Sequence, residues 1–113
     1  MSEQTAFLNA TASPTPSDIG QKFTELAAVW RRETGPLSSL TAKAMHPAYQ
    51  QIIGMGQAVI PLQLRELEQR PDHWFWALQS ITGENPVPPT QRGRAKEMTQ
   101  AWLQWGKEHG YTW

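Results

Sequence analysis

Apolar side chains recur along most of this chain with the three-and-four spacing of an amphipathic helix, and almost nowhere with the alternation of a half-buried strand. Ile19, Phe23, Leu26 and Trp30 form the first stripe. Ser17 can cap that helix, Asp18 suits its first turn, Arg31 and Arg32 suit its last turn, and Gly35-Pro36 closes it. Ser38 or Ser39 opens a short turn of helix reaching Met45, because Pro47 disfavours helical geometry at His46. Pro47 fits the opening turn of a helix that carries Tyr49, Ile52 and Ile53 on one side, and Gly56 is a left-handed stop. The next helix spans 58–69, with Pro61 in its first turn and Ile60, Leu64 and Leu67 as its stripe. Arg70-Pro71 ends it, and Asp72 caps a helix over 73–82 that stops at Gly83; so short a link predicts antiparallel neighbours.

The run from Glu84 to Pro89 holds three prolines and is predicted to be extended, near polyproline II. Thr90 is the expected cap of a last helix over 91–109, terminated by Gly110, with Ala95, Met98, Trp102, Trp105 and His109 on one face and Leu103 off it. Before these elements, residues 1–16 are rich in Ser, Thr and Ala, with Phe7 and Leu8 as the notable apolar groups, and read as a flexible N-terminal tail. The expectation is an all-α fold: one helical domain over 17–113, a small bundle of about five helices.

Two resemblances sharpen that picture. Residues 56–67, with a glycine turn leading into an apolar helix that bears the early Pro61, resemble the second helix of a HEAT-like repeat. No third unit follows and the connection at 84–89 is long, so the expectation is a closed bundle with HEAT-like antiparallel hairpins and not a solenoid. The words HPAYQQIIGMG (46–56), PDHWFWAL (71–78), ITGENPVP (81–88) and AWLQWGKEHGY (101–111) resemble a group of small uncharacterised bacterial proteins. That resemblance implies a standalone bacterial protein of the kind found in small accessory gene pairs. It carries over no catalytic or binding residue.

Composition narrows the function classes. A chain of 113 residues makes one core, not two. Basic and acidic residues balance four against four through Gly56 and six against six beyond it, so no global field exists to hold a long nucleic acid. The absence of cysteine excludes disulfides, thiolate metal sites and thiol nucleophiles. No apolar run is long enough to span a membrane, and the start of the chain lacks the pattern of a signal peptide; a cytoplasmic protein is expected.

Chemistry-bearing clusters are few. His46, His73 and His109 are scattered without metal-ligand spacing, so no metal or other cofactor is expected. Glu66 and Glu68 sit among Arg65 and Arg70, as a solvated face would have them, which leaves Glu84 and Asn85, with His73, as the remaining candidates for acid–base work. No catalytic residue is assigned, and a non-enzymatic protein is expected.

The surplus lies in tryptophan, six in all. Trp74, Leu78 and Ile81 define the inner side of their helix, while Trp76 points the other way. Trp76 is then either covered by the N-terminal helix or the proline-rich loop, or left exposed as an aromatic anchor. Tyr111 and Trp113 either join it as anchors or fold back onto the Trp102–Trp105 face. Arg92, Arg94 and Lys96 open the last helix, where the macrodipole disfavours cations, and could grip an acidic partner or phosphates. The expectation is a protein–protein interaction module, an antitoxin or immunity-like neutralising partner of another bacterial protein encoded nearby, with partner-binding residues Trp76, Arg92, Arg94, Lys96, Tyr111 and Trp113. The alternative is a nucleic-acid-associated regulator using the basic start of the last helix.

Overall fold

The computed structural model describes residues 15–37, 39–70 and 72–113. These form six α-helices, α1 Pro16–Thr34, α2 Leu40–Ala44, α3 Pro47–Gly54, α4 Ile60–Gln69, α5 Phe75–Thr82 and α6 Ala95–Glu108, with 3-10 turns at Gly56–Val59 and Pro89–Gln91. No strand is present among the described residues. The fold is all-α, as the spacing predicts. Most of the expected tail, with Phe7 and Leu8, lies outside the described residues, as do Ser38 and Pro71.

The cap of helix α1 lies two residues before the predicted one. Pro16, whose fixed φ and missing N–H suit a first helical position, places the cap at Thr15. Thr15 Oγ1 accepts from Asp18 N–H (3.1 Å) and Asp18 Oδ2 accepts from Thr15 N–H (3.2 Å), a reciprocal capping box. Ser17 therefore lies within the helix and caps nothing. The buried stripe is Phe23, Ala27, Trp30 and Thr34, with Ile19 and Leu26 packed on its flank. Ser39 caps α2 through Ala42 N–H (3.2 Å). His46 starts α3, its Nδ1 accepting from Ala48 N–H (3.0 Å) while Nε2 meets Glu33 (2.8 Å).

Gly56 takes the left-handed conformation (φ +74°), but the chain continues as a 3-10 turn, so α4 begins at Ile60. Helix α5 is shorter than predicted at its start. Asp72 Oδ1 accepts from His73 N–H (2.8 Å), and the first-turn helical donor three residues into α5, the buried Ala77 N–H, is capped from a distance: the Tyr49 hydroxyl of α3 accepts it (2.9 Å) and donates to His73 C=O (2.7 Å). The larger correction is at α6. Thr90 caps nothing; it lies in the Pro89–Gln91 turn, and Gly93 at φ +89° interrupts the path, so the helix begins at Ala95. Its buried face is Thr99, Trp102, Trp105 and Gly106, with Leu103 packed against the core, while Ala95 and His109 are exposed. The spacing gave the period; the phase is rotated toward Gly106.

Close packing joins α1 to α3, α3 to α5, and α4 to α6, skipping one element each time; the consecutive pair α4–α5 is not among the closely packed ones. The reason is local. A Cβ built on Gly106 would lie 2.6 Å from Leu64 Cδ1, so the bare glycine lets the α4 stripe seat directly on α6. Between α1, α3 and α5 sits an aromatic cluster. Trp74 has Trp30, Phe23 and Tyr49 at centroid distances of 4.9, 5.3 and 5.7 Å, the last nearly parallel at 7°. One ion network braces its edge. Arg31 Nε donates to Asp72 Oδ2 (3.0 Å), a second guanidinium nitrogen donates to Glu66, and the group lies 5.8 Å over Trp74. Burial opposes the Arg31 charge, but hydrogen bonds to Glu66 and Asp72 outweigh it and hold the pKa above its ordinary value. Glu66 is thus a structural partner of Arg31 and not part of a purely solvated face.

Candidate interaction surface

Helix α5 and Trp74, the residue that leads into it, turn Trp74, Ala77 and Leu78 inward, each fully enclosed, which turns Trp76 outward at about 100° per residue. Trp76 is 45% exposed, so neither α1 nor the proline-rich loop covers it. Trp30, Trp74, Trp102 and Trp105 are all buried in the core. Next to Trp76 runs a groove of about 230 Å³, whose rim includes the exposed Leu40 of α2 (56% exposed), His73 and Gln79 and the half-buried Lys43, with Phe75 and Met98 on its walls.

The floor of this groove is rigid for reasons visible in the hydrogen bonds. Trp30 and Tyr49, both about 1% exposed, line its bottom. The Trp30 indole N–H donates to Lys43 C=O (2.9 Å), fixing one wall, and the Tyr49 hydroxyl donates to His73 C=O (2.7 Å), fixing the other. Burial pushes the Tyr49 phenol well above its ordinary pKa, so it stays a neutral donor at any physiological pH. Two core aromatics therefore position two rim residues.

The six predicted partner-binding residues do not form one patch. Trp76 stands with Leu40, Lys43 and Met98. Lys96 lies instead in a cleft with Leu67, Glu68 and Leu103. Trp113 is on the same side as Lys96, donating from Nε1 to Glu68 Oε1 (3.2 Å) with its ring against Gly106. Tyr111 stacks on Trp105 (5.6 Å, 20°), and its N–H donates to Gly106 C=O (2.9 Å). The C-terminal aromatics thus fold back onto α6, the second of the two alternatives. Of the three cations expected to open α6, only Lys96 is within it. Arg94 is the residue before the first turn, and Arg92 sits in the preceding turn with its Nε donating to Val87 C=O (3.3 Å). All three are exposed and none has an ion pair among the described residues.

The residues weighed for acid–base work are separated. His73 is on the Trp76 groove, whereas Glu84 shares a polar cleft with His109, its Oε2 4.0 Å from His109 Nε2 and its Oε1 accepting from Trp105 Nε1 (3.3 Å). Asn85 Oδ1 is engaged with Val87 N–H (3.2 Å). Among the described residues no three His, Asp or Glu side chains converge as a metal site would need, and no helix is long and apolar enough to cross a membrane. Sequence reading missed Leu40 and Lys43 as companions of Trp76. A signal was present in the short helix after Ser39, which offers an unpartnered leucine and a lysine one turn apart.

No family model, curated protein or solved structure matches the chain.

Proposed function

We propose that the chain is a non-enzymatic protein–protein interaction module, a neutralising partner of antitoxin or immunity type for another bacterial protein encoded beside it, and that the two meet at the Trp76 groove. One observation carries this reading: a half-exposed tryptophan beside a more exposed leucine, on a groove whose walls are fixed from the core. Large apolar side chains held rigid at a surface gain the most when a partner covers them, because little conformational entropy remains to be lost. Tyr111 and Trp113, folded back on α6, support the fold and offer only their outer faces.

The test is titration calorimetry with the product of the adjacent gene. Trp76→Ala is expected to weaken binding at least about tenfold while the helical circular dichroism spectrum is retained. Unchanged affinity in that variant rejects the groove.

A second reading is supported by Arg92, Arg94 and Lys96, exposed and without an ion pair among the described residues: a nucleic-acid-associated regulator. If each neutralised one phosphate of a duplex, log K would fall with log salt at a slope of about −2.7. Failure to retain mixed-sequence DNA at low salt rejects it.

A further inference from the structure

The groove beside Trp76 carries more than an apolar surface. Among the described residues its ionisable groups are Lys43 and His73, and no carboxylate lines it. Lys43 has no ion pair among the described residues. The nearest acid in sequence to His73, Asp72, has its charge engaged by Arg31 and its other oxygen by His73 N–H. The rim therefore presents the uncompensated positive charge of Lys43 around apolar walls of Leu40, Phe75, Trp76 and Met98.

Size discriminates between occupants. Cavities that enclose small-molecule ligands run to about 300–1,000 Å³, and this one, at about 230 Å³, is smaller and open on one side. Such a volume suits an apolar side chain inserted from a partner's surface better than a whole cofactor. Its walls are already in place, which favours an anchor that docks without rearranging them.

Resting on the interaction role proposed above, we propose that the groove receives an acidic, apolar segment of a partner protein: a Leu, Phe or Trp side chain that enters between Leu40 and Trp76, flanked by Asp or Glu whose carboxylates meet Lys43. The charge complementarity selects against basic amphipathic segments, for which Lys43 is a repulsive gate.

A phage-displayed library of random 12-residue peptides, selected on the whole wild-type protein and then measured on its variants, tests this. The expected result is enrichment of peptides with an apolar anchor next to Asp or Glu. Their binding should fall about tenfold or more in Trp76→Ala and several-fold in Lys43→Glu, and exchanging the peptide acid for Lys should restore affinity to Lys43→Glu. Enriched peptides that need Trp76 but carry no acid overturn the charge assignment and leave the docking groove standing. Peptides that bind Trp76→Ala equally, or no enrichment at all, overturn both. A dimer in light scattering that Trp76→Ala dissolves makes a second copy the occupant and also overturns the proposal.

Discussion

Tyr49→Phe removes one oxygen and leaves the ring where it is, so its cost measures the distant cap on α5. Two hydrogen bonds are lost: the hydroxyl's donation to His73 C=O and its acceptance from Ala77 N–H. The two are unequal. Ala77 is fully enclosed, so its N–H loses any partner, a penalty of about 1–3 kcal/mol; His73 is at the surface, where its carbonyl can turn to water at a cost of about 1 kcal/mol or less. The parallel stacking on Trp74 is retained, so no cavity contribution is added. A loss of about 2–3 kcal/mol follows, equivalent to about 8–12 °C in Tm for a chain of this size. Urea unfolding followed by tryptophan fluorescence reads it as a shift of midpoint at constant slope. The same variant has a pH signature. Burial raises the Tyr49 pKa above its ordinary 10.0, so the folded state holds the phenolic proton more tightly than the unfolded chain. That contribution is complete below pH 10 and is lost as the pH climbs above it, so wild-type stability should fall more steeply than that of Tyr49→Phe in this alkaline window. A loss below about 0.5 kcal/mol, or identical alkaline profiles, refutes the distant cap.

Three further outcomes are expected. Gln63 is fully buried in α4 with neither amide atom hydrogen-bonded among the described residues, so Gln63→Met should raise stability by about 1–3 kcal/mol in urea unfolding; a loss shows that those atoms are satisfied. Gly106→Ala would gain about 1 kcal/mol by helix propensity alone, but its Cβ would stand 2.6 Å from Leu64 and 2.9 Å from the Trp113 ring. The net expectation is destabilisation by about 1–3 kcal/mol with red-shifted Trp113 emission, and a stabilised variant contradicts the close α4–α6 seat. Trp74→Ala, which guts the aromatic cluster, should cost about 3–5 kcal/mol and leave the domain marginal, unlike Trp76→Ala.

Much of this architecture is legible in the sequence because helices announce themselves by period. The stripe Phe23–Trp30, the inward Trp74 and Leu78 and the outward Trp76 all follow from turning by 100° per residue, and glycines at 56, 83 and 110 each adopt the positive φ expected of a stop. What escaped was long-range or conformational. Thr90 has the right chemistry for a cap, but the left-handed Gly93 breaks the path between it and α6, and only geometry tells which of two candidate starts prevails. The true cap of α5 comes from Tyr49, 28 residues away, beyond any local pattern. The buried face of α6 is rotated because Gly106, bland in sequence, is where Leu64 and Trp113 come closest. For the candidate site, Trp76 was readable as outward-facing, but its companions Leu40 and Lys43 are brought to it by the Trp30 bond to the α2 carbonyl, a tertiary contact. The same tertiary packing splits Lys96 and Trp113 from Trp76, though all three looked eligible for one surface.

The central claim is that the Trp76 groove is a docking surface distinct from the load carried by the other indoles. The most direct measurement is the affinity of wild-type and Trp76→Ala protein for the proposed partner, the product of the adjacent gene, taken with a melting curve of each. The account predicts a folded variant whose binding is weakened at least about tenfold. A variant that melts normally and binds as tightly as the wild type contradicts it.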